Sequence, residues 1–141
     1  MHLIYDGIVT SPPYSFAIDY LKGDKSQLEF LGANIGDLKQ NMIGLRGKDG
    51  ADKVSKYLDD MKKILREMHR VLKEDKFAVI LIGTNTSQLL KISEYLNKVK
   101  LEDELVQFGQ DVGFSLNQRI IRPIEGIRNS IRNEEILFLR K

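Results

Sequence analysis

Four consecutive residues near the amino terminus, Ser11-Pro12-Pro13-Tyr14, put a hydroxyl, two proline carbonyls and a phenol ring within one short stretch. Each proline fixes its own φ, lacks a backbone donor, and pushes the residue before it out of the helical region. Ser11 through Tyr14 must therefore be extended and stiff. The carbonyls still accept hydrogen bonds, and at such a corner an acceptor points into a cleft rather than into a ladder. With the Ser11 hydroxyl this makes two neighbouring acceptors beside an aromatic face. That set suits a flat ring bearing an amino group, whose N–H bonds donate to the acceptors while the ring stacks on Tyr14. Holding both N–H bonds in a rigid frame leaves the nitrogen lone pair free for in-line attack on a methyl donor. The same residues also suit plain punctuation, a strand stop with a packed tyrosine, and the four alone do not decide between the two.

The elements around the corner follow from periodicity. Leu3 to Val9 is a short, mostly apolar run that predicts a buried strand ended by the prolines. Apolar residues between Ser15 and Leu31 allow helical turns interrupted at Gly23, and residues 32–52, with five glycines and no sustained period, predict a long loop. Tyr57, Leu58, Met61, Ile64, Leu65, Met68, Val71 and Leu72 recur at three- and four-residue steps, the stripe of an amphipathic helix. Phe77 to Ile82 (FAVILI) predicts a central strand ending at Gly83. Helices are expected over Ser87–Val99 and Leu101–Asp111, the latter closed by Gly113, and two strands over Ser115–Ile121 and Glu134–Leu139 with a loop at 122–133. The order is that of an α/β layer with a parallel start and an antiparallel finish. In open sheets of this kind ligands bind beyond the carboxyl ends of the strands, where the double proline sits.

Composition narrows the chemistry. At 141 residues and 42% hydrophobic content the chain suits one domain, 1–141. It has no cysteine, which removes disulfides and thiolate chemistry and suits a reducing cytoplasm, and its two histidines, His2 and His69, are too far apart for the common zinc patterns. His69, flanked by Arg66 and Arg70, is expected on a helix surface. No run approaches the roughly 18 apolar residues of a membrane span, and no signal-peptide pattern is present, so a cytoplasmic protein without a membrane partner is expected. The net charge of +2 is uneven: residues 112–141 hold five of the eight arginines. Arg119, Arg122, Arg128 and Arg132, with Lys22 and Lys25 just after the proline corner, are candidates for phosphate contacts, and an ordinary solvated surface is the competing reading.

The wider stretch DGIVTSPPYSFAIDYLKGDKSQLEFLG, Asp6 to Gly32, resembles the catalytic motif of the S-adenosylmethionine-dependent amino-methyltransferases of DNA, in which [Ser/Asp/Asn]-Pro-Pro-[Tyr/Phe/Trp] follows a strand. It looks most like archaeal and bacterial DNA methylases with Thr-Ser-Pro-Pro-Tyr followed by Ala-x-Asp-Tyr, here Ala17 to Tyr20. Leu65–Asn85, DVGFSLNQRIIRPI and EEILFLRK are similar to later elements of the same domain. The resemblance implies a partial Rossmann-like methyltransferase sheet of about four strands flanked by helices, S-adenosylmethionine as methyl donor, and a DNA base flipped from the duplex. Ser11 and the Pro12 carbonyl would hold the target amino group, Pro13 would keep the frame rigid, Tyr14 would stack on the base, and Ser11 would also border the cofactor. Serine at the first position favours N4 of cytosine over N6 of adenine.

The sequence departs from the family in one respect. Its members grip the cofactor with a Phe-x-Gly-x-Gly-like loop after a strand, whereas EFLGANIG (Glu29–Gly36) lacks the glycine doublet and GLRGKDG (Gly44–Gly50) follows no strand. Without such a loop the backbone cannot approach the methionine part of the cofactor. The chain thus resembles the second half of a catalytic domain, and its first strand is expected to pair with a second chain carrying the other half, or with a copy of itself. The Pro-Pro-Tyr corner also serves methyltransferases of guanine N2 in RNA and of protein glutamine, usually with Asp or Asn at the place of Ser11. A binding module that keeps the fold without the cofactor is the non-enzymatic alternative.

Overall fold

The computed structural model describes residues 5–14, 20–83, 100–125, 131 and 133–141. Its elements in order are β1 (Ile8–Thr10), α1 (Tyr20–Gly23), α2 (Lys25–Phe30), α3 (Ile35–Asn41), α4 (Gly50–Val71), β2 (Phe77–Gly83), α5 (Leu101–Asp111), β3 (Ser115–Pro123) and β4 (Asn133–Arg140). The strands form one sheet in the order β1-β2-β4-β3. β1 runs parallel to β2, and β4 is antiparallel to both its neighbours, giving the α/β architecture and mixed sheet that the sequence predicts.

Alternation along the strands decides which face is buried. Ala78, Ile80 and Ile82 of β2 pair with Leu139, Leu137 and Glu135 of β4, so all six project from one face. Against that face α4 lays Val54, Tyr57, Met61, Leu65 and Met68, and α5 adds Leu101 and Leu105, to form the main core. The three- and four-residue spacing of the α4 residues is what keeps them on one stripe over 22 residues. The helix is held at both ends. Asp49 accepts from the Asp52 N–H at 2.9 Å, and the Lys141 ammonium donates to the His69 and Leu72 carbonyls at 2.7 and 2.8 Å, placing a cation on the negative end of the helix.

Several expectations are corrected. The strand predicted for Leu3–Val9 is shorter and later among the described residues: Asp6 bonds Lys73 at 2.8 Å, Tyr5 forms only an isolated bridge to Leu72, and regular pairing begins at Ile8. The interval 32–52 is not one loop. Asn34 caps α3 by accepting from the Asp37 N–H, and Asp49 starts α4 at Gly50, so two capping side chains outweigh the glycine content. The loop at 122–133 is tighter because β3 runs to Pro123 and β4 starts at Asn133. His69 is not a plain surface residue; its ring packs edge-on against Phe114 with centroids 4.9 Å apart, and burial holds its pKa below 6.5. Gly113 does close α5, at φ 110°, and a Cβ there would lie 2.8 Å from the His69 ring. The helix predicted over Ser87–Val99, with Asn85 before it, lies outside the described residues.

Tyr57 is fully buried in this core, and its hydroxyl has no hydrogen-bond partner among the described residues. Desolvation, with Glu102 and Tyr14 nearby, pushes its ionisation far above the usual phenol range, so the group is a neutral orphan. Tyr57→Phe removes an unpaired polar group without removing the ring. It is expected to leave stability unchanged or raise it by up to about 1 kcal/mol in urea unfolding. A loss of that size would show that the hydroxyl is bonded.

Candidate active site

The site is built where β1 and β2, being parallel, end on the same edge of the sheet. Beyond Thr10 the chain passes through Ser11, which is exposed, Pro12, which is buried, and Pro13 and Tyr14, which are half-buried. The corner is anchored by its prolines while the serine faces the solvent side.

The Tyr14 ring lies over the end of β2. A Cβ on Gly83 would stand 2.9 Å from Ile131 Cγ2, close enough to displace it, and 3.3 Å from Tyr14 Cε2, a tight contact that would press on the ring. From there the Tyr14 hydroxyl donates to Glu134 Oε1 at 2.6 Å. Glu134 is directly opposite Gly83 on β2 and directly opposite Arg122 on β3, and Arg122 donates to its other oxygen. Arg122, Glu134 and Gly83 thus form one row across three strands, with the aromatic ring at its end.

Glu134 is almost buried. The Tyr14 hydroxyl, and after it the Arg122 guanidinium, hold its carboxyl below the usual 4.5 despite desolvation. The next residue, Glu135, projects from the opposite face by strand alternation and receives Arg119, which also reaches Asp103 of α5. Glu135 first, and Asp103 with it, raise the Arg119 pKa above its already high ordinary value. The two adjacent carboxylates therefore bind two different arginines on the two faces of one sheet.

A pH dependence follows. A carboxyl whose folded pKa lies below its unfolded value stabilises the fold fully above that unfolded value and loses the contribution as the pH falls through the folded pKa. Glu134 should therefore stabilise the protein at neutral pH and cease to do so on the acid side of 4.5. The difference in melting temperature between the wild type and Glu134→Leu should shrink as the buffer is taken down through that range. A difference that stays constant would show that the charge contributes nothing.

The structure brings Ser11, Pro12, Pro13 and Tyr14 to the strand ends as the sequence predicts. Of the cationic candidates, Lys22 and Lys25 are exposed on α1 and α2, Lys25 lying 3.6 Å from Glu29. Arg119 and Arg122 both stand in ion pairs, Arg119 with Glu135 and Asp103 and Arg122 with Glu134, and Arg122 remains 60% exposed. Arg128 and Arg132 lie outside the described residues. Glu134 and Gly83 are the site residues that sequence reasoning misses. The signal available is the pair Glu134-Glu135 opening an otherwise apolar strand, since buried acidic residues are rarely unpaired.

Gly32, Gly44, Gly47 and Gly113 have positive φ, yet each follows or precedes a helix and none follows a strand. The carboxyl ends of β1 and β2 are occupied by the proline corner and by Gly83 under Tyr14. No positive-φ glycine among the described residues follows a strand, so none of these glycines offers the close backbone approach that the methionine part of S-adenosylmethionine needs. Among the described residues no cluster of three or more metal-ligating side chains occurs, and no helix is long and apolar enough to cross a membrane.

A family model described as DNA methylase (N6/N4 type) matches residues 5–141. No curated protein matches the chain. Among solved structures, a Thermus thermophilus protein provisionally described as a DNA modification methylase superposes with a TM-score of 0.51 at 19% identity, over 99% of this chain and 47% of its own. The same protein in complex with S-adenosyl-L-methionine gives a TM-score of 0.50 at 17% identity, over 99% of this chain and 46% of its own. The likeness shows a shared fold, and the chain spans a little under half the length of these structures.

Proposed function

The chain belongs to the DNA methylase family, and from that membership we propose that it carries the target-base half of a DNA amino-methyltransferase. The observation that carries the reading is the Tyr14 ring, seated on Gly83 and tied to Glu134, directly after a proline corner at the ends of two parallel strands. When bound, S-adenosylmethionine supplies an electrophilic methyl group. The residues of this chain hold the acceptor: Ser11 and the Pro12 carbonyl accept the amino N–H bonds, the prolines keep that frame from relaxing, and Tyr14 stacks on a base flipped out of the duplex. Serine at position 11 favours cytosine N4 over adenine N6. Lys22, Lys25, Arg122, Arg128 and Arg132 are assigned as backbone contacts, whose contribution falls with salt.

The cofactor grip is assigned to polypeptide other than the residues described, pairing with the outer edge of β1. That strand has three residues and β2 as its partner, and Val9 on it is 78% exposed. An edge of this kind is completed by another strand, from the rest of a methyltransferase domain or from a second chain. A cytoplasmic place in a restriction-modification pair accords with this reading. Methylation of RNA guanine N2 or of protein glutamine is the second enzymatic reading, and a cofactor-free binding module the third.

Incubating DNA, RNA and protein substrates with labelled S-adenosylmethionine, with and without a cofactor-binding partner, followed by digestion and mass analysis, tests the reading. N4-methylcytosine in DNA is the expected product. N6-methyladenine would correct the base, label in RNA or protein would correct the substrate, and absence of label together with absence of calorimetric cofactor binding would overturn the enzyme.

A further inference from the structure

Stacking on a base needs only the ring of Tyr14, yet its hydroxyl is bonded to a nearly buried carboxylate 120 residues away in sequence. A phenol on a free side chain can turn about two torsions. Here Glu134 Oε1 holds the hydroxyl at 2.6 Å, and one ring edge lies so near Gly83 that a Cβ there would stand 3.3 Å from Tyr14 Cε2. The hydroxyl lies on the axis about which the ring turns, so this bond fixes χ1 and the position of the ring's far end, while the close backbone at Gly83 narrows the space in which the ring can turn. The carboxylate cannot swing either, because Arg122 holds Oε2 and the strand carrying Glu134 is paired on both sides. The tie is therefore held from the sheet outward to the phenol hydroxyl.

We propose that Glu134, fixed by Arg122, is a positioning residue that holds the Tyr14 ring in place over the strand ends before a target base arrives. The inference rests on the reading of Tyr14 as the stacking face. Its consequence is that preorganisation of the base site resides in β3 and β4, not only in the proline corner. Glu134 does not touch the reacting atoms; it acts through Tyr14.

Two measurements test this. In the complemented enzyme, Glu134→Ala should lower kcat about tenfold, the scale of one lost charge-assisted hydrogen bond, with the KM for S-adenosylmethionine unchanged. Glu134→Gln, which keeps an acceptor for the hydroxyl, should restore most of the rate. Tyr14→Phe should lower kcat by a similar factor, and the double variant Tyr14→Phe/Glu134→Ala should be no worse than either single one. Equal loss in kcat for the alanine and glutamine variants, or additive loss in the double variant, would overturn the proposal. The second measurement does not depend on activity. With tyrosines labelled at 13Cζ in the full chain, the Tyr14 resonance should shift in Glu134→Ala and stay near its wild-type position in Glu134→Gln. An unmoved resonance in Glu134→Ala overturns the tie even if no methylation is found, whereas a shift in a chain that methylates nothing leaves the tie standing and removes the methyltransferase reading instead.

Discussion

Replacing Tyr14 by alanine should reduce the single-turnover rate of DNA methylation roughly 10- to 100-fold, the range expected from losing a base–aromatic stack worth about 1–3 kcal/mol. The substitution removes both the stacking face and the point through which Glu134 acts, so its effect should exceed that of Tyr14→Phe, which keeps the ring over Gly83. Binding of the cofactor to the complemented enzyme should be unaffected, because the ring is assigned to the base. The folded structure should survive, since Tyr14 is only half-buried and Glu134 keeps Arg122 as a partner. A rate within twofold of wild type would remove Tyr14 from the site. A parallel fall in melting temperature and rate would instead make it a packing residue.

The largest effect on stability is expected at Leu65. It is fully buried in the carboxyl-terminal third of α4, against the face of the sheet that carries Ile80 and Leu137. Leu65→Ala should cost roughly 2–5 kcal/mol by denaturant unfolding, through lost transfer energy and the cavity that a rigid helix-on-sheet contact cannot close. Phe30, 91% exposed on α2, supplies the control: Phe30→Ala should change stability by less than about 0.5 kcal/mol. If both substitutions cost the same, the core has been placed on the wrong face of α4.

The stripe that identifies Leu65 was legible because a helix writes its buried face into the sequence at a local period. FAVILI was legible for a similar reason: the run from Phe77 to Ile82 is apolar on both faces of a central strand. α5 agrees with its predicted bounds because Gly113 marks its end. What the sequence concealed depends on partners distant in the chain or on single capping side chains. Asn34 and Asp49 start helices inside a glycine-rich interval that periodicity reads as loop, and Asp6 leaves the strand for a lysine 67 residues away. The proline corner announced a rigid pair of acceptors through local stereochemistry alone. That the tyrosine beside it would be tied to Glu134 could not be read locally, because the tie exists only through the pairing of β2, β4 and β3. Likewise, the ion pairs of Arg119 and Arg122 could not be read locally, because the register sets their carboxylates opposite or beside them.

The sheet order gives this dependence a direction in time. β4 follows both β2 and β3 in sequence, yet it lies between them, so neither can acquire that neighbour until residues 133–140 have been made. During synthesis, β2 would present its apolar edge unpaired while α5 and β3 are still being completed, a state prone to association with other chains. Closing a contact between residues 14 and 134 is also slow relative to forming local helices. Tyr14, made well before Glu134, thus gains its hydroxyl bond only after β4 is in place, and a ribosome-bound chain lacking β4 would carry the proline corner without that tie.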